Sequence, residues 1–284
     1  MKIIFAFLLL MSGVLLSQNQ RFVYEYSFKP DTLNSADIQK EMMNLDVTAK
    51  GSQFYSSLLV ARDSMFRAQI EKGIASNHME IDMRKVRQSK VNFRVSKIYP
   101  DFETVFHSSV NASNLSVKEL KKINWTILPD IRMVKGFKSQ KATTNFGGRN
   151  WTAWFTHEIQ IQDGPYKFHG LPGLILQVED EEQTHVFTLA GSRKLDPQPS
   201  LLEFNINEIP VTKEKFNELW SEYKKDPAKN IRIMHGSSAM SETLFFDANT
   251  GNPLTKMELI RNKESRARDF FKRFNNFIEK DLYR

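Results

Sequence analysis

Apolar and polar side chains alternate at period two through most of this chain, and four stretches shift toward helical spacing. Arg21-Phe-Val-Tyr-Glu-Tyr-Ser-Phe-Lys29 places Phe22, Tyr24, Tyr26 and Phe28 on one side, an opening strand that Pro30-Asp31 ends. Asn34 or Ser35 can cap a short helix through Met42, with Ile38, Met42 and Leu45 at helical spacing. A second strand is predicted over Leu45 to Ala49, turning at Gly51, followed by a helix from Phe54 to Ile70 that Gly73 stops. Between Met79 and Val110 a weak alternation predicts two or three strands, broken at Tyr99-Pro100-Asp101.

The middle of the chain is denser in signals. Trp125 to Leu128 and Ile131 to Val134 read as short strands separated by Pro129-Asp130, and Phe137 to Thr144 as a polar strand entering a Gly147-Gly148 turn. From Trp151 to Ile161 the pattern gives a strand with Ala153, Phe155, Ile159 and Ile161 on a dry side. Thr152, Trp154, Thr156, Glu158 and Gln160 take the wet side, and His157 falls on the dry one. In Gly170-Leu-Pro-Gly-Leu-Ile175, Pro172 fixes one angle and Gly173 tolerates a positive φ, so Leu171 to Leu174 is predicted to be a type II turn. Gly164, Pro165, Gly170, Pro172 and Gly173 are the structural turn residues of this region.

Leu174 to Val178 and His185 to Leu189 pair as a hairpin across a polar Glu181-Glu-Gln turn. Gly191 and the two prolines between Asp196 and Ser200 predict a loop, with a further strand at Leu202 to Ile206. Thr212 is an N-cap, with Val211 and Phe216 as a hydrophobic staple, and Phe216, Leu219, Trp220 and Tyr223 form the stripe of a helix ending by Pro227. Leu244 to Lys256 reads as strand, turn, strand. The last helix carries Ala267, Phe270, Phe271, Phe274, Phe277, Ile278 and Leu282 on one face, which fits packing on the protein's own sheet or a membrane surface; packing is the expectation. Together these elements predict an α+β fold: a predominantly antiparallel, curved sheet, up to a half-barrel, with a few packed helices including a C-terminal amphipathic one.

At the start, Lys2, the apolar run Ile3 to Leu10 and the small residues Ser12, Gly13 and Ser17 have the order of a secretory signal peptide. Residues 1–17 are therefore assigned to a signal and 18–284 to a single domain. The mature protein is expected to be exported, periplasmic or extracellular, with no transmembrane segment after signal removal. The 284 residues contain no cysteine, which excludes disulfides, thiol chemistry and lipid attachment at a processed N-terminal cysteine. A charge of +7 would raise nucleic acid as a partner inside a cell. Export argues instead for no nucleic acid, and for an acidic or amphiphilic small molecule or peptide, an outer-membrane receptor or a secretion component.

Trp125-Thr-Ile-Leu, Gly136-Phe-Lys-Ser-Gln-Lys-Ala-Thr-Thr144, Gly147-Gly-Arg-Asn-Trp-Thr-Ala-Trp-Phe155, Gly164-Pro-Tyr-Lys-Phe168 and Gly170-Leu-Pro-Gly-Leu-Ile175 resemble the GLPGLI family. Gln160 stands where that family's pattern has proline. The resemblance implies an exported Bacteroidota protein with no established biochemical activity. It also implies O-glycosylation at an Asp-Ser/Thr-apolar motif, matched at Thr32 in Asp31-Thr-Leu33 and at Ser64 in Asp63-Ser-Met65.

A nucleophile elbow, a His-Glu-x-x-His motif, a phosphate loop, a Rossmann glycine pattern and an EF-hand are all missing, so no cofactor, metal site or catalytic residue is assigned. His107 reads as an ordinary strand residue and Glu179 to Glu182 as a solvated turn. Arg149, Trp154, Glu158, Tyr166, Lys167 and His169 could line a groove beside the turn, as in a non-enzymatic binding or accessory protein for a lipid, peptide or glycan. A lipid carrier of that kind would have a deep apolar pocket. The alternative is an envelope hydrolase or processing factor with a non-standard site near His157, Glu158 and His169.

Overall fold

The computed structural model describes residues 19–76, 89–111, 113–120, 122–195, 207–233 and 252–284. The predicted signal (1–17), the beginning of the 79–110 region, the 196–200 loop, the 202–206 strand and 244–251 of the predicted hairpin lie outside them.

Twelve strands form one open sheet, β1 (Gln20–Phe28), β2 (Gln39–Thr48), β3 (Gly51–Ser56), β4 (Phe93–Ile98), β5 (Glu103–Val110), β6 (Ser113–Glu119), β7 (Thr126–Val134), β8 (Phe137–Phe146), β9 (Arg149–Thr156), β10 (Leu174–Asp180), β11 (His185–Lys194) and β12 (Ile209–Val211). Their spatial order is β12-β6-β5-β4-β3-β2-β1-β11-β10-β9-β8-β7. Every pairing is antiparallel except β12 on β6. Long-range pairing of β1 with β11 joins the two halves of the chain. Four helices complete the described structure: α1 (Ser57–Ser76), α2 (Lys213–Lys225), α3 (Lys229–Ile233) and α4 (Lys256–Arg273). The predicted class, a curved antiparallel sheet with a few helices, is the observed one.

Period-two alternation sends Phe22, Tyr24, Tyr26 and Phe28 to the inner face, where they are buried. Tyr26 stacks on Phe187 at 4.2 Å between ring centroids. Each ring hidden in this way contributes about 1.5–3 kcal/mol. The sheet curls around the loop 157–173 that joins β9 to β10. In that loop the Tyr166 ring meets Phe93 of β4, Phe106 of β5, Phe187 of β11 and Phe146 at the end of β8. Strands at opposite ends of the order can share one ring only if the sheet bends over it.

Several expectations are corrected. Residues 34–42 are not a helix: the chain turns to Asp37 and enters β2, because Met43, Leu45 and Val47 complete the inner aromatic layer at period two. Phe54 and Tyr55 belong to β3, so α1 starts at Ser57. The two short strands around Pro129-Asp130 are one strand, β7, with a bulge between Ile127 and Ile131 that absorbs the proline. β11 runs through Gly191 and holds it at another bulge against Val23. Lys256 begins α4 rather than ending a strand, since Thr255 and Glu258 form a reciprocal capping box.

Thr212 caps α2 as predicted, accepting from the Lys215 amide, and Phe216 and Trp220 are its buried residues. The C-terminal stripe does not stay on one helix. α4 ends at Arg273, and Phe277, Ile278 and Leu282 lie in a non-helical tail that bends at Ile278 and turns at Leu282. The amides of Asn275 and Asn276 both donate to the Pro30 carbonyl at 3.0 Å, and the Asn276 side chain donates to Lys29 O at 2.8 Å. These bonds to the β1–β2 turn replace the helical ones. Phe270 and Phe271 of α4 pack edge-on against Trp220 of α2, so this helix face meets protein. Among the described residues, no helix is long and apolar enough to cross a membrane.

Candidate ligand-binding face

β9 stops at Thr156, five residues earlier than its hydrophobic pattern suggests. The Thr156 hydroxyl donates to Lys138 O at 3.0 Å and accepts from the Glu158 amide at 3.2 Å, and the chain then turns inward. His157 consequently sits exposed in the turn, not on the dry face. The predicted type II turn is also absent. Gly173 N–H bonds to Leu171 O at 2.7 Å, a three-residue turn around Pro172, while Leu174 N–H reaches Ile159 O at 3.1 Å. A Cβ on Gly173, at φ +147°, would lie 1.9 Å from Thr156 O, so only glycine lets the two backbone segments touch.

The hexapeptide region is thus no bend between half-buried ribbons. It belongs to a plug filling the inner face, with Phe168, Leu171, Leu174 and Ile175 essentially without exposure. Ionisable groups are sealed in with it. Asp163 pairs with Lys97 of β4, both side chains at 0% exposure, and accepts from Tyr99 Oη at 2.5 Å and the Gly164 amide at 2.6 Å. Lys97 Nζ also donates to Gly164 O at 2.7 Å. Burial pushes the Lys97 ammonium below its ordinary value, against the attraction of Asp163.

The six residues expected to line a groove occupy three settings. Arg149, Tyr166 and Lys167 are buried and hold the C-terminal tail. Arg149 donates to Phe277 O at 2.8 Å, Ile278 O at 3.1 Å and Asp180 Oδ2 at 2.8 Å. Tyr166 Oη donates to Glu279 Oε1 at 2.5 Å, and Lys167 Nζ bridges Glu279 at 2.5 Å and Glu119 at 2.6 Å. Burial first, and Glu279 second, raise the Tyr166 phenol well above its usual value. His169 stacks on Phe102 at 4.7 Å, its Nδ1 beside Lys167 O at 2.8 Å, and burial and then Lys97 lower its pKa. Trp154 and Glu158 are elsewhere: Arg132 covers the Trp154 indole at 3.9 Å, and exposed Glu158 accepts from the Lys138 amide. His157, near Gln140 at 3.4 Å, is not brought together with His169. Thr32 stands on the exposed β1–β2 turn with its hydroxyl on Asn275 Oδ1 at 3.0 Å; Ser64 falls within α1.

The opposite, outer face of β7 to β10 offers a different surface. Register aligns Thr126, Thr143, Thr152 and Glu179 in one row across four strands. One step toward the strand ends lie Asn145 and Asn150, whose amide groups bond at 3.0 Å, and Asn150 in turn donates to Glu181 at 3.0 Å. One step the other way lie Lys141, Trp154 and Gln177, the last accepting from Arg132 at 3.0 Å. The threonine row, Asn145, Asn150, Glu179 and Glu181 border an open groove of about 570 Å³. The sequence signal for it was the wet side of β9 at Thr152; the rest emerges only when strand register places Glu179 beside Thr152 instead of in a solvated turn.

Residues 65–177 match the model of a family described as a protein of unknown function (Porph_ging), a span that contains the hexapeptide. No curated protein matches the chain significantly. Among solved structures, PNGF-II in a P21 and a C2 crystal form resembles it at 12% identity, with TM-scores of 0.48 and 0.49. Each alignment covers 72% of this chain and 33% or 32% of that one, so the chain spans about a third of their length.

Proposed function

We propose that this is an exported cell-envelope protein that binds a glycan, without chemistry, in the groove on the outer face of β7 to β10. The cross-strand row of Thr126, Thr143, Thr152 and Glu179 supports this most directly. Hydroxyl and amide groups held at the spacing of neighbouring strands, about 4.8 Å, suit the spaced hydroxyls of a sugar, and carboxylates add strong acceptors. A lipid fits less well, because the inner apolar face is filled by the chain's own rings, such as Tyr24, Tyr166 and Phe168.

The test is retention on an array of neutral and acidic oligosaccharides, comparing wild type with Thr152→Val and Glu179→Gln. Both residues sit partly exposed on the outer face, where substitutions shift stability by about 0.5 kcal/mol or less. Wild type is expected to retain a defined set of glycans that the variants lose at least tenfold while melting at the wild-type temperature. Absence of any retention, or variants that bind as well, overturns the proposal.

A further inference from the structure

At the far end of the same outer face, β4 and β5 bring a hydroxyl and an imidazole together. Arg94 is the cross-strand partner of His107, and Ser96 sits two residues further along β4, in diagonal reach. Ser96 Oγ lies 3.1 Å from His107 Nε2. On the other side of the ring, His107 Nδ1 lies 2.6 Å from Glu208 Oε2, just before β12. The second Glu208 oxygen is held by Arg94, which fixes the plane of the carboxylate. The His107 and Glu208 side chains are 13% and 15% exposed, so the chain of bonds is shielded but open at one end. Burial, and then Arg94, lower the His107 pKa against the pull of Glu208, which keeps the ring neutral and able to accept a proton.

We infer that Ser96, His107 and Glu208 form a nucleophile, base and orienting carboxylate that cleave a short-chain acyl ester. The order of contacts is that of a serine hydrolase relay, reached without its usual strand-to-helix elbow. Ser96 Oγ adds to the ester carbonyl carbon as its proton passes to His107 Nε2. The bond to the leaving oxygen breaks, and that oxygen takes the proton from His107. Water then attacks the acyl-serine, its proton goes to His107 and on to Ser96 Oγ, and the carboxylic acid leaves. Val105, the cross-strand partner of Ser96, and half-exposed Ile98 give the site an apolar border suited to a short acyl chain. Gln53 on β3 is the cross-strand partner of Ser96 and supplies a side-chain amide at this register position for the carbonyl oxygen.

The experiment treats the purified protein with a fluorophosphonate probe and, separately, with p-nitrophenyl butyrate. Wild type is expected to gain one adduct on the Ser96 peptide and to release p-nitrophenol. Ser96→Ala should lose the adduct, and Glu208→Gln should slow labelling at least tenfold. An unlabelled wild type, or labelling that persists in Ser96→Ala, overturns the inference. Should Ser96→Ala fail to fold, His107→Gln serves instead: labelling at the wild-type rate overturns the relay, and its loss in a protein of unchanged melting temperature supports it.

Discussion

Lys97 on β4 and Asp163 in the β9–β10 loop form an ion pair with no solvent exposure on either side chain. Tyr99 and the Gly164 amide donate further hydrogen bonds to the carboxylate, and Gly164 O accepts a second hydrogen bond from Lys97 Nζ. The pair therefore pins the plug to a strand six places from β9 in the sheet order.

Breaking a buried pair on one side strands the other charge, at a cost of about 3–5 kcal/mol, whereas removing both charges costs far less. Lys97→Met alone should lower the unfolding free energy read from urea titration by that amount, and Lys97→Met with Asp163→Asn should recover much of it. Additive losses in the double mutant would show that the two groups act independently.

Gly173 and Gly170 separate two reasons for glycine. A Cβ at Gly173 meets the Thr156 carbonyl oxygen, while one at Gly170, at φ +90°, meets nothing within 4 Å. Gly170→Ala should cost only the left-handed penalty of about 1–2 kcal/mol. Gly173→Ala must also force neighbouring backbone segments apart, and should lower the melting temperature clearly further. Equal shifts in calorimetry would refute the close approach.

His185 gives the fold a dependence on pH. Burial, and then Arg149, push its pKa from 6.5 down to about 3. Between those values the unfolded chain binds a proton that the folded one refuses, so stability is full above about pH 6.5 and falls as pH drops toward 3. The slope approaches ~1.4 kcal/mol per pH unit. His185→Gln, which keeps a polar group near Tyr26 Oη, should flatten urea-midpoint curves across that window. An unchanged slope would assign the acid sensitivity to other groups.

The strands were legible wherever one side chain in two is apolar and the other is not. β1 and the β10–β11 hairpin follow that rule, β8 was read instead as a polar strand entering the Gly147-Gly148 turn, and Thr212 announced α2 through its cap. The pattern misled where tertiary bonds end an element while its residue spacing continues. Ile159 and Ile161 continued the alternation of β9, yet they pack beside the core from the loop. Phe277 and Leu282 kept helical spacing with Phe270, yet Asn275 and Asn276 bond to Pro30 and take the tail off the helix path.

The candidate site shows the same division. Arg149, Tyr166 and Lys167 looked like ligand-binding groups because basic and aromatic residues near a turn are usually exposed; their partners Asp180, Glu279 and Glu119 lie up to 113 residues away. Ser96, His107 and Glu208 carry no local motif, since their spacing reflects a strand pairing and a crossover.

By itself the sequence determined that the chain builds an antiparallel sheet with an aromatic inner side, lacks cysteine and needs glycine near residue 173, because alternation, composition and turn chemistry act over a few neighbouring residues. Tertiary structure alone decided that the glycine-rich segment lies inside the curl, which charges are sealed there and which polar side chains meet on the outer face. Those outcomes depend on register between strands distant in the chain, and a shift of one residue would turn every side chain of a strand to the other face.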